Sequence, residues 1–201
     1  MKKSIFLSIV LLILLLSSPF SSFVQGQGAE ENPMATFMGV KWGITATNFE
    51  QNFPYQSQLK KDDEFFYLND FDLGDLVIYK IRFKFQGLSG ADVKFNKKNF
   101  DSLYLTEAFM FIKPDQFEPL FEIFKVKYGE PQKFDEFETR DSTGNKFIQK
   151  VARWENKDLK REIVMEKQAS KIVDGVIMFI PIEEAKKVVK KDKIKEAADK
   201  I

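Results

Sequence analysis

Residues 76–86 alternate apolar and polar side chains, and this pattern constrains the fold more than any other part of the chain. One side of the segment is apolar and consists of Val77, Tyr79, Ile81, Phe83 and Phe85. The other side carries three cations, Lys80, Arg82 and Lys84, which we call the basic strip. Alternation of this kind is typical of a strand with one face on the core and one in water. It therefore predicts an antiparallel sheet with one covered face.

Further strands are predicted at 64–68, 103–112, 133–139, 146–154, 159–166 and 175–181, from runs rich in β-branched and aromatic residues. The segment 103–112 is apolar on both faces in part, which indicates a central strand. The acidic stretch 69–75 is predicted as a turn, and 156–158 as a hairpin turn between two strands. Residues 34–43 are expected to be an extended segment.

A short helix is predicted to begin after Thr45, which is a good N-cap residue. Ile44 and Phe49 occupy the two positions of a hydrophobic staple, and Pro54 ends the helix. A second helix follows from apolar residues at helical spacing, namely Phe117, Leu120, Phe121, Phe124 and Tyr128.

The second helix is expected to stop at Gly129 and Pro131. Its start has two alternatives: a capping pair of Asp115 with Glu118, or Pro119 as the first helical residue.

These elements indicate an α+β fold: an antiparallel sheet of about six to eight strands with two short helices packed on it. The domain is expected to span 37–182. Its two halves, 37–112 and 113–182, each read as a helix followed by strands, which suggests tandem α-βββ units. Residues 183–201 are predicted to be a lysine-rich helical tail without a single apolar stripe, so we expect no membrane helix there.

The first 26 residues have the pattern of a secretory signal peptide: Lys2 and Lys3, an apolar run, then Pro19 and small residues. An uncleaved N-terminal anchor is the alternative. Residues 27–36 are expected to be flexible, and the protein is expected to be exported, periplasmic or extracellular. Without the leader the net charge passes from +1 to about −1, because two lysines and no acid are lost. A near-neutral charge argues against nucleic-acid binding, and no stable membrane insertion is expected after cleavage.

Two missing residue types exclude several kinds of chemistry. The chain has no histidine, so it cannot form a Ser-His-Asp triad or a histidine-ligated zinc site. It has no cysteine, so disulfides, thiolate nucleophiles and iron–sulfur sites are excluded as well. The fold must be held by packing, for which its 22 phenylalanines are well suited. No cofactor is expected.

The remaining candidates for chemistry are weak motifs. Ser57 and Lys60 have Ser-x-x-Lys spacing, but the companion motifs of the penicillin-recognising enzymes are absent. Three acids, Asp70, Asp72 and Asp75, lie near Asp62, Asp63 and Glu64, but the glycine is misplaced for a calcium loop. Four further carboxylates could act as an acid/base pair: Glu136, Glu138, Glu183 and Glu184. All of these are more typical of polar loops and solvated surfaces.

Three fragments together carry a resemblance: Phe37-Met38-Gly39-Val40-Lys41-Trp42-Gly43 before the first helix, Lys127-Tyr128-Gly129-Glu130-Pro131 after the second, and Trp154 late in a strand. They resemble a group of uncharacterised exported bacterial proteins. More distantly, they resemble the helix-on-sheet domains of the SmpA/OmlA outer-membrane assembly lipoproteins and the β-lactamase-inhibitor proteins. The resemblance implies a non-enzymatic domain whose sheet or loops bind other envelope proteins. The chain lacks the cysteines of both groups, so only the fold carries over.

The expected function is therefore protein–protein interaction in the bacterial cell envelope, with an envelope protein as partner and the basic strip as the candidate binding surface. The alternatives are a carrier of small apolar ligands and, last, a hydrolase built on carboxylates or a Ser–Lys pair. Structural roles are expected for Gly39, Trp42, Gly43, Thr45, Gly129, Pro131 and Trp154.

Overall fold

The computed structural model describes residues 32–87, 95, 99–140, 144–168 and 174–182. The predicted signal peptide, residues 27–31 of the predicted flexible segment 27–36 and the predicted tail 183–201 lie outside the described residues.

An eight-stranded antiparallel sheet is the frame of the protein. In chain order its strands are β3 (Lys60–Lys61), β4 (Phe65–Leu73), β5 (Leu76–Gln86), β6 (Tyr104–Ile112), β7 (Lys133–Arg140), β8 (Lys146–Asn156), β9 (Arg161–Glu166) and β10 (Gly175–Pro181). Across the sheet the order is β3-β4-β5-β6-β10-β9-β8-β7, and all neighbours are antiparallel. The remaining elements are a hairpin of β1 (Thr36–Phe37) and β2 (Val40–Lys41), and two helices, α1 (Ala46–Asn52) and α2 (Phe117–Tyr128). The predicted α+β class is confirmed.

Both halves of the described chain have the same order of elements. Helix α1 precedes β3 to β6, and α2 precedes β7 to β10. The last strands of the two halves, β6 and β10, pair at the centre of the sheet. From this centre outward, the strands of each half therefore follow in reverse chain order. Within the eight-stranded sheet the first half has one strand more than predicted, because Lys60 and Lys61 form the short β3. That the halves derive from one repeated unit stays a prediction.

The alternation in β5 holds over most of the strand. Ile81, Phe83 and Phe85 are buried, and the basic strip lies on the opposite side of the sheet. It fails at the start of the strand, where Ile78 is buried instead of its neighbours and Val77 is 37% exposed. The prediction was therefore wrong for Val77 and Tyr79, which lie on the side of the basic strip.

The alternation of buried and exposed residues fails here because it is interrupted at the same place in two adjacent strands, β4 and β5. In the adjacent β4 the buried positions shift from Leu68 to Phe71, which breaks the two-residue period. Between them Asp70 adopts φ 48°, a left-handed conformation that asparagine and aspartate tolerate better than most residues. A turn was predicted over 69–75, but β4 continues to Leu73, and the turn is confined to residues 74 and 75.

Helix α1 begins and ends as predicted. The Thr45 hydroxyl oxygen accepts a hydrogen bond from the backbone N–H of Asn48 at 3.3 Å. Ala46 and Phe49 are buried, and the helix ends one residue before Phe53, with Pro54 next. Because the helix has only seven residues, packing rather than intrinsic propensity must stabilise it.

Helix α2 spans the predicted apolar residues but starts differently. A single 3₁₀ turn, Pro114–Gln116, leads into it, and no side-chain hydrogen bond caps its first turn. Both predicted starts, the Asp115–Glu118 pair and Pro119 at the first position, were therefore wrong. Gly129 ends the helix with φ 81°, a left-handed conformation that glycine adopts without strain.

Two loop predictions were wrong in detail. Residues 34–43 are not extended throughout: Met38 (φ 51°) and Gly39 (φ 79°) form a two-residue turn between β1 and β2. The turn after β8 lies at 157–160 rather than 156–158, and the Asn156 side-chain oxygen accepts a hydrogen bond from Leu159 N at 2.9 Å.

The main core lies between one face of the sheet and both helices. Phe49 of α1 is fully buried, and its ring centroid lies 4.8 Å from that of Phe53, 5.4 Å from Phe66, 4.9 Å from Phe83 and 5.2 Å from Phe85. Such aromatic clusters bury large areas and add ring–ring attraction. The phenylalanines thus take the place of the disulfides that this chain cannot form.

Candidate functional site

The two faces of the sheet are not equivalent. One face belongs to the main core, which includes residues of both helices and of the β1-β2 hairpin. The other face carries a separate small cluster, in which Val151, Val164 and Ile180 are packed against Phe109 and Met178. Neither helix contributes a residue to that cluster. We call this side of the sheet the open face.

The register of the strands places aromatic, basic and apolar side chains in one row across the open face. The row runs from Tyr67 on β4 through Arg82 on β5 and Phe109 on β6 to Met178 on β10 and Val164 on β9. Directly paired residues on adjacent strands point to the same side of a sheet and lie within about 5.5 Å of each other. Tyr67, Arg82, Phe109 and Met178 are half-buried, whereas Val164 is 1% exposed. Four strands from both halves of the chain therefore contribute to one surface.

The basic strip lies on this surface, but its charges contact the protein's own side chains. The Lys80 ammonium lies 4.7 Å from the ring centroid of Tyr67. The Arg82 guanidinium lies 5.4 Å from the ring of Phe65 and 5.3 Å from that of Phe111. Both distances allow cation–π attraction. The strip is therefore not a bare patch of positive charge, but part of an aromatic and cationic surface.

Arg82 stands at the centre of this surface. Its side chain is half-buried among aromatic rings, and its Nε atom is buried without a hydrogen-bond partner among the described residues. Because the Arg82 side chain is only partly buried, the exposed side of its guanidinium can donate hydrogen bonds to another molecule. A guanidinium in this setting can pair with a carboxylate through two parallel hydrogen bonds.

Lys84, the third cation, differs from the other two. Its ammonium lies 3.4 Å from a carboxylate oxygen of Glu107, which is only 5% exposed. A buried carboxylate is costly unless a cation compensates it, so Lys84 stabilises the fold here. The same carboxylate opposes the decrease that burial causes in the pKa of Arg161.

Arg161 links the sheet to the N-terminal hairpin. Its guanidinium carbon lies 4.1 Å from the ring centroid of Trp42, and it donates a hydrogen bond to the Thr106 carbonyl. The Trp42 indole N–H in turn donates to the Met34 carbonyl at 2.9 Å. These contacts join the hairpin to the sheet. The structural role of Trp42 stays a prediction.

One titratable pair lies at the end of the open face. Burial raises the pKa of the Tyr79 hydroxyl, and its hydrogen bond to Asp174 raises it further. The Tyr79 ring lies 6.1 Å from that of Phe111, so this pair adjoins the aromatic cluster. A tyrosine that stays protonated far above neutral pH is a hydrogen-bond donor rather than a base.

The weak catalytic and metal motifs do not assemble into a site. Ser57 lies in a 3₁₀ turn and Lys60 in strand β3, so they do not share a helix face. Asp62 accepts hydrogen bonds from the backbone N–H groups of Glu64 and Phe65 at 2.9 and 2.8 Å, which is a local turn contact. Within the described ranges no three acidic side chains converge in a group that could hold a metal ion.

The other acidic candidates lie at the sheet edge or outside the structure. Asp70 and Asp72 are exposed in β4, and Asp75 is exposed in the turn that follows. Glu136 pairs with Lys150 at 3.5 Å and Glu138 with Lys146 at 2.8 Å. Glu183 and Glu184 lie outside the described residues.

The remaining residues with expected structural roles lie at element ends. Gly43 has φ 78° and donates a hydrogen bond from its N–H to Leu105 O at 2.9 Å, which joins the hairpin to β6. Trp154 is 1% exposed, and its indole N–H donates to the carbonyl of Gly129 at 2.8 Å. Pro131 follows Gly129 just before β7. Each of these contacts fixes a connection between elements.

A shallow depression lies on the other side of the molecule. It has a volume of ≈ 440 Å³ and opens to solvent beside the N-terminal hairpin. Its lining comprises Gly39, Val40, Lys41, Trp42, Gly43, Ile44 and Asn52. The space between the helices and the sheet contains the packed phenylalanines of the main core.

The aromatic residues of the open face were not singled out from the sequence. β4 and β6 carry apolar residues on both faces, so no simple alternation separates the open face from the core. The signal that could have found them is the pairing of Tyr67, Phe109 and Phe111 with the basic strip. It depends on a register that the sequence does not specify.

Comparison with known proteins gives no relative for this chain: no known family, no curated protein and no solved structure matches it. Among the described helices, none combines the length and the apolar composition that crossing a membrane requires. The function must therefore be argued from the geometry of the molecule itself.

Proposed function

We propose that this protein is a non-enzymatic interaction module of the bacterial cell envelope, and that the open face of its sheet binds a protein partner. The observation that carries the proposal is the row of half-buried side chains Tyr67, Arg82, Phe109 and Met178 on the face without helices. Its location in the envelope rests on the predicted signal peptide.

The composition of the open face supports protein binding. The buried centres of protein interfaces are enriched in aromatic residues, methionine and arginine, and depleted in lysine and acids. Tyrosine and arginine are also frequent among the few residues that carry most of the binding energy. The centre of the open face has this composition, with Arg82 among Phe65, Tyr67 and Phe111.

The charges around that centre indicate the chemistry of the partner. Lys80 and Arg82 have aromatic neighbours and no ion pair among the described contacts, whereas Lys84 has Glu107. A partner that presents a carboxylate next to apolar side chains could pair with Arg82 and cover the rings at the same time. Lys84 is the least available of the three cations.

The first experiment is crosslinking in cells that export the tagged protein, followed by mass spectrometry of the captured proteins. The wild-type protein should capture one dominant envelope protein. Lys80→Glu combined with Tyr67→Ala should reduce that capture at least about tenfold, because it reverses a charge and removes an aromatic contact at the proposed surface. Lys84 is left unchanged, since reversing it would place two carboxylates together at Glu107.

The matched control is Lys157→Glu, which reverses an exposed lysine in the turn between β8 and β9. It should capture the partner as well as the wild type does. Equal capture by both variants would place the partner elsewhere on the molecule. Absence of any captured protein would contradict the proposal and would direct attention to bound small molecules, for which native mass spectrometry is the direct measurement.

A further inference from the structure

Strand β7 forms an unusually open edge of the sheet. It has eight residues, and in the described chain it pairs only with β8. The pairing runs without interruption from Lys133 opposite Arg153 to Arg140 opposite Lys146. The strand contains no proline and no bulge, which are two of the devices that usually protect an edge from further pairing.

The opposite edge of the same sheet is protected. It is formed by β3, which has two residues, Lys60 and Lys61. A very short edge strand with lysine side chains is a typical defence against edge-to-edge association. The two edge strands of this sheet therefore differ in kind, and of the two described edge strands β7 is the one long enough to pair with a long strand.

The β7 edge also exposes large apolar side chains on both faces. Phe137 is 49% exposed on the open face, and Phe134 is 44% exposed on the helix side, where its ring lies 5.2 Å from that of Phe121. Ile148 on the adjacent β8 is 44% exposed. Each of these three apolar side chains is therefore only about half covered.

The charges of β7 are mostly neutralised within the same molecule. Asp135 pairs with Lys133 at 2.8 Å, and Glu138 pairs with Lys146 at 2.8 Å. Glu136 lies 3.5 Å from Lys150. A second strand of identical sequence would therefore meet paired charges rather than a row of free carboxylates, and the repulsion between two copies is reduced.

We propose that β7 pairs with β7 of a second copy of this chain, in antiparallel orientation about a two-fold axis perpendicular to the sheet. Such an axis keeps the open faces of both copies on the same side of the joint sheet. A β7 residue on the open face must therefore lie opposite an open-face residue of the other copy, and a helix-side residue opposite a helix-side residue. One register that satisfies this rule sets Phe137 opposite Phe137 and Phe134 opposite Arg140. It gives one aromatic pair on the open face and two cation–π pairs on the helix side. The same register also sets Glu136 opposite Glu138, and each of these carboxylates is already paired with a lysine of its own molecule.

The contact closes on itself. Pairing through β7 gives a sheet of sixteen strands whose two outer edges are both β3. Because the outer edge strand β3 is short and carries lysines, it cannot repeat the β7 contact, and the dimer should not grow into a fibre. This inference concerns a different surface from the open-face proposal and does not depend on it.

The test is to measure the oligomeric state by sedimentation velocity, with the protein purified in the form that cells accumulate. The wild type should be a dimer at about 10–100 μM, a range in which weak specific contacts are populated. Phe137→Lys should raise the dimer dissociation constant about 100-fold, because it removes the aromatic pair and places two ammonium groups opposite each other. Phe137 is half exposed, so the variant should keep the melting temperature of the wild type within a few degrees.

The matched control is Val126→Lys, which makes a similar change at a residue of α2 that is 64% exposed. It should remain dimeric. A wild-type monomer at about 100 μM, or a Phe137→Lys variant that stays dimeric, would overturn the proposal.

The register has its own test, because the natural chain contains no cysteine. In the proposed dimer, Phe137→Cys sets two thiols in a directly opposed pair, whose Cα separation of about 4.5–5.5 Å suits a disulfide. Thr139→Cys is the control, because in this register the two position-139 residues of the dimer would lie about 14 Å apart along the strands. Rapid oxidation of the first variant only is expected. Equal or faster crosslinking of the second would overturn the register.

Discussion

Replacement of Trp154 by phenylalanine tests how this cysteine-free fold holds its second helix in place. The indole is 1% exposed and contacts two rings of α2: its centroid lies 5.9 Å from that of Phe121 and 5.8 Å from that of Phe124. Its N–H donates to the Gly129 carbonyl, where the helix ends. The substitution keeps an aromatic ring but removes the hydrogen bond and part of the buried volume.

The expected loss follows from three contributions. The lost hydrogen bond costs about 1 kcal/mol. The missing ring volume, about 40 Å³, costs about 1 kcal/mol at roughly 24 cal/mol per Å³ of residual cavity. The lost transfer free energy of the removed atoms adds about 1 kcal/mol. The free energy of unfolding should therefore fall by about 2–3 kcal/mol, since partial relaxation of the neighbours reduces the total.

The assay is urea unfolding followed by far-ultraviolet circular dichroism. Trp42→Phe is the matched variant, because this indole also donates to a carbonyl, that of Met34 at 2.9 Å, but is only partly buried. It should cost about 1 kcal/mol, mainly from the hydrogen bond. Equal losses for the two variants, or a loss below about 0.5 kcal/mol for Trp154→Phe, would refute the reasoning, because burial would not then determine the difference.

Three further predictions concern the core, the first helix and the titration of the open face. Phe49→Ala should lower the free energy of unfolding by about 3–5 kcal/mol in urea unfolding, because the ring is fully buried among four others; a loss below about 1 kcal/mol would mean that the core is loosely packed. Thr45→Ala should cost about 1 kcal/mol in the same assay, whereas Thr45→Ser, which keeps the capping hydroxyl, should cost much less. The free energy of unfolding should fall as the pH rises above about 10, because tyrosines of the unfolded chain ionise there while Tyr79, with its raised pKa, keeps its proton in the fold. Tyr79→Phe should make that fall less steep, and an unchanged slope would contradict the assignment.

The sequence predicted those elements whose signals are local. The helix bounded by Thr45 and Pro54 follows from a cap and a breaker, which act within a few residues. The strand at 76–86 has the predicted bounds, because its alternation is long and regular. The fold class followed from these elements together.

The errors arose where distant parts of the chain decide the structure. The phase change at Asp70 is shared by β4 and β5, so neither segment reveals it alone. The 3₁₀ turn before α2 replaced the predicted capping pair of Asp115 and Glu118, since the approach of the chain from β6 fixes how the helix begins. Local propensity is overridden in both places by packing.

The candidate site was predictable only in part. The basic strip was found on the correct face, because β5 alternates. The rings around it come from β4 and β6, and their positions depend on strand register, which side-chain composition alone does not specify. The charges of the open face were therefore predictable, whereas the aromatic surface that surrounds them was not.

The most direct test of the open-face proposal is photocrosslinking from single positions in cells that export the protein. A photoreactive phenylalanine analogue is placed at Tyr67, which is paired with Arg82 on the open face, and in a second strain at Val126, an exposed residue of α2. If the open face binds a partner, irradiation should give one dominant adduct from position 67 and none from position 126. Adducts of the same protein from both positions, or from 126 alone, would contradict the assignment of the open face as the binding site.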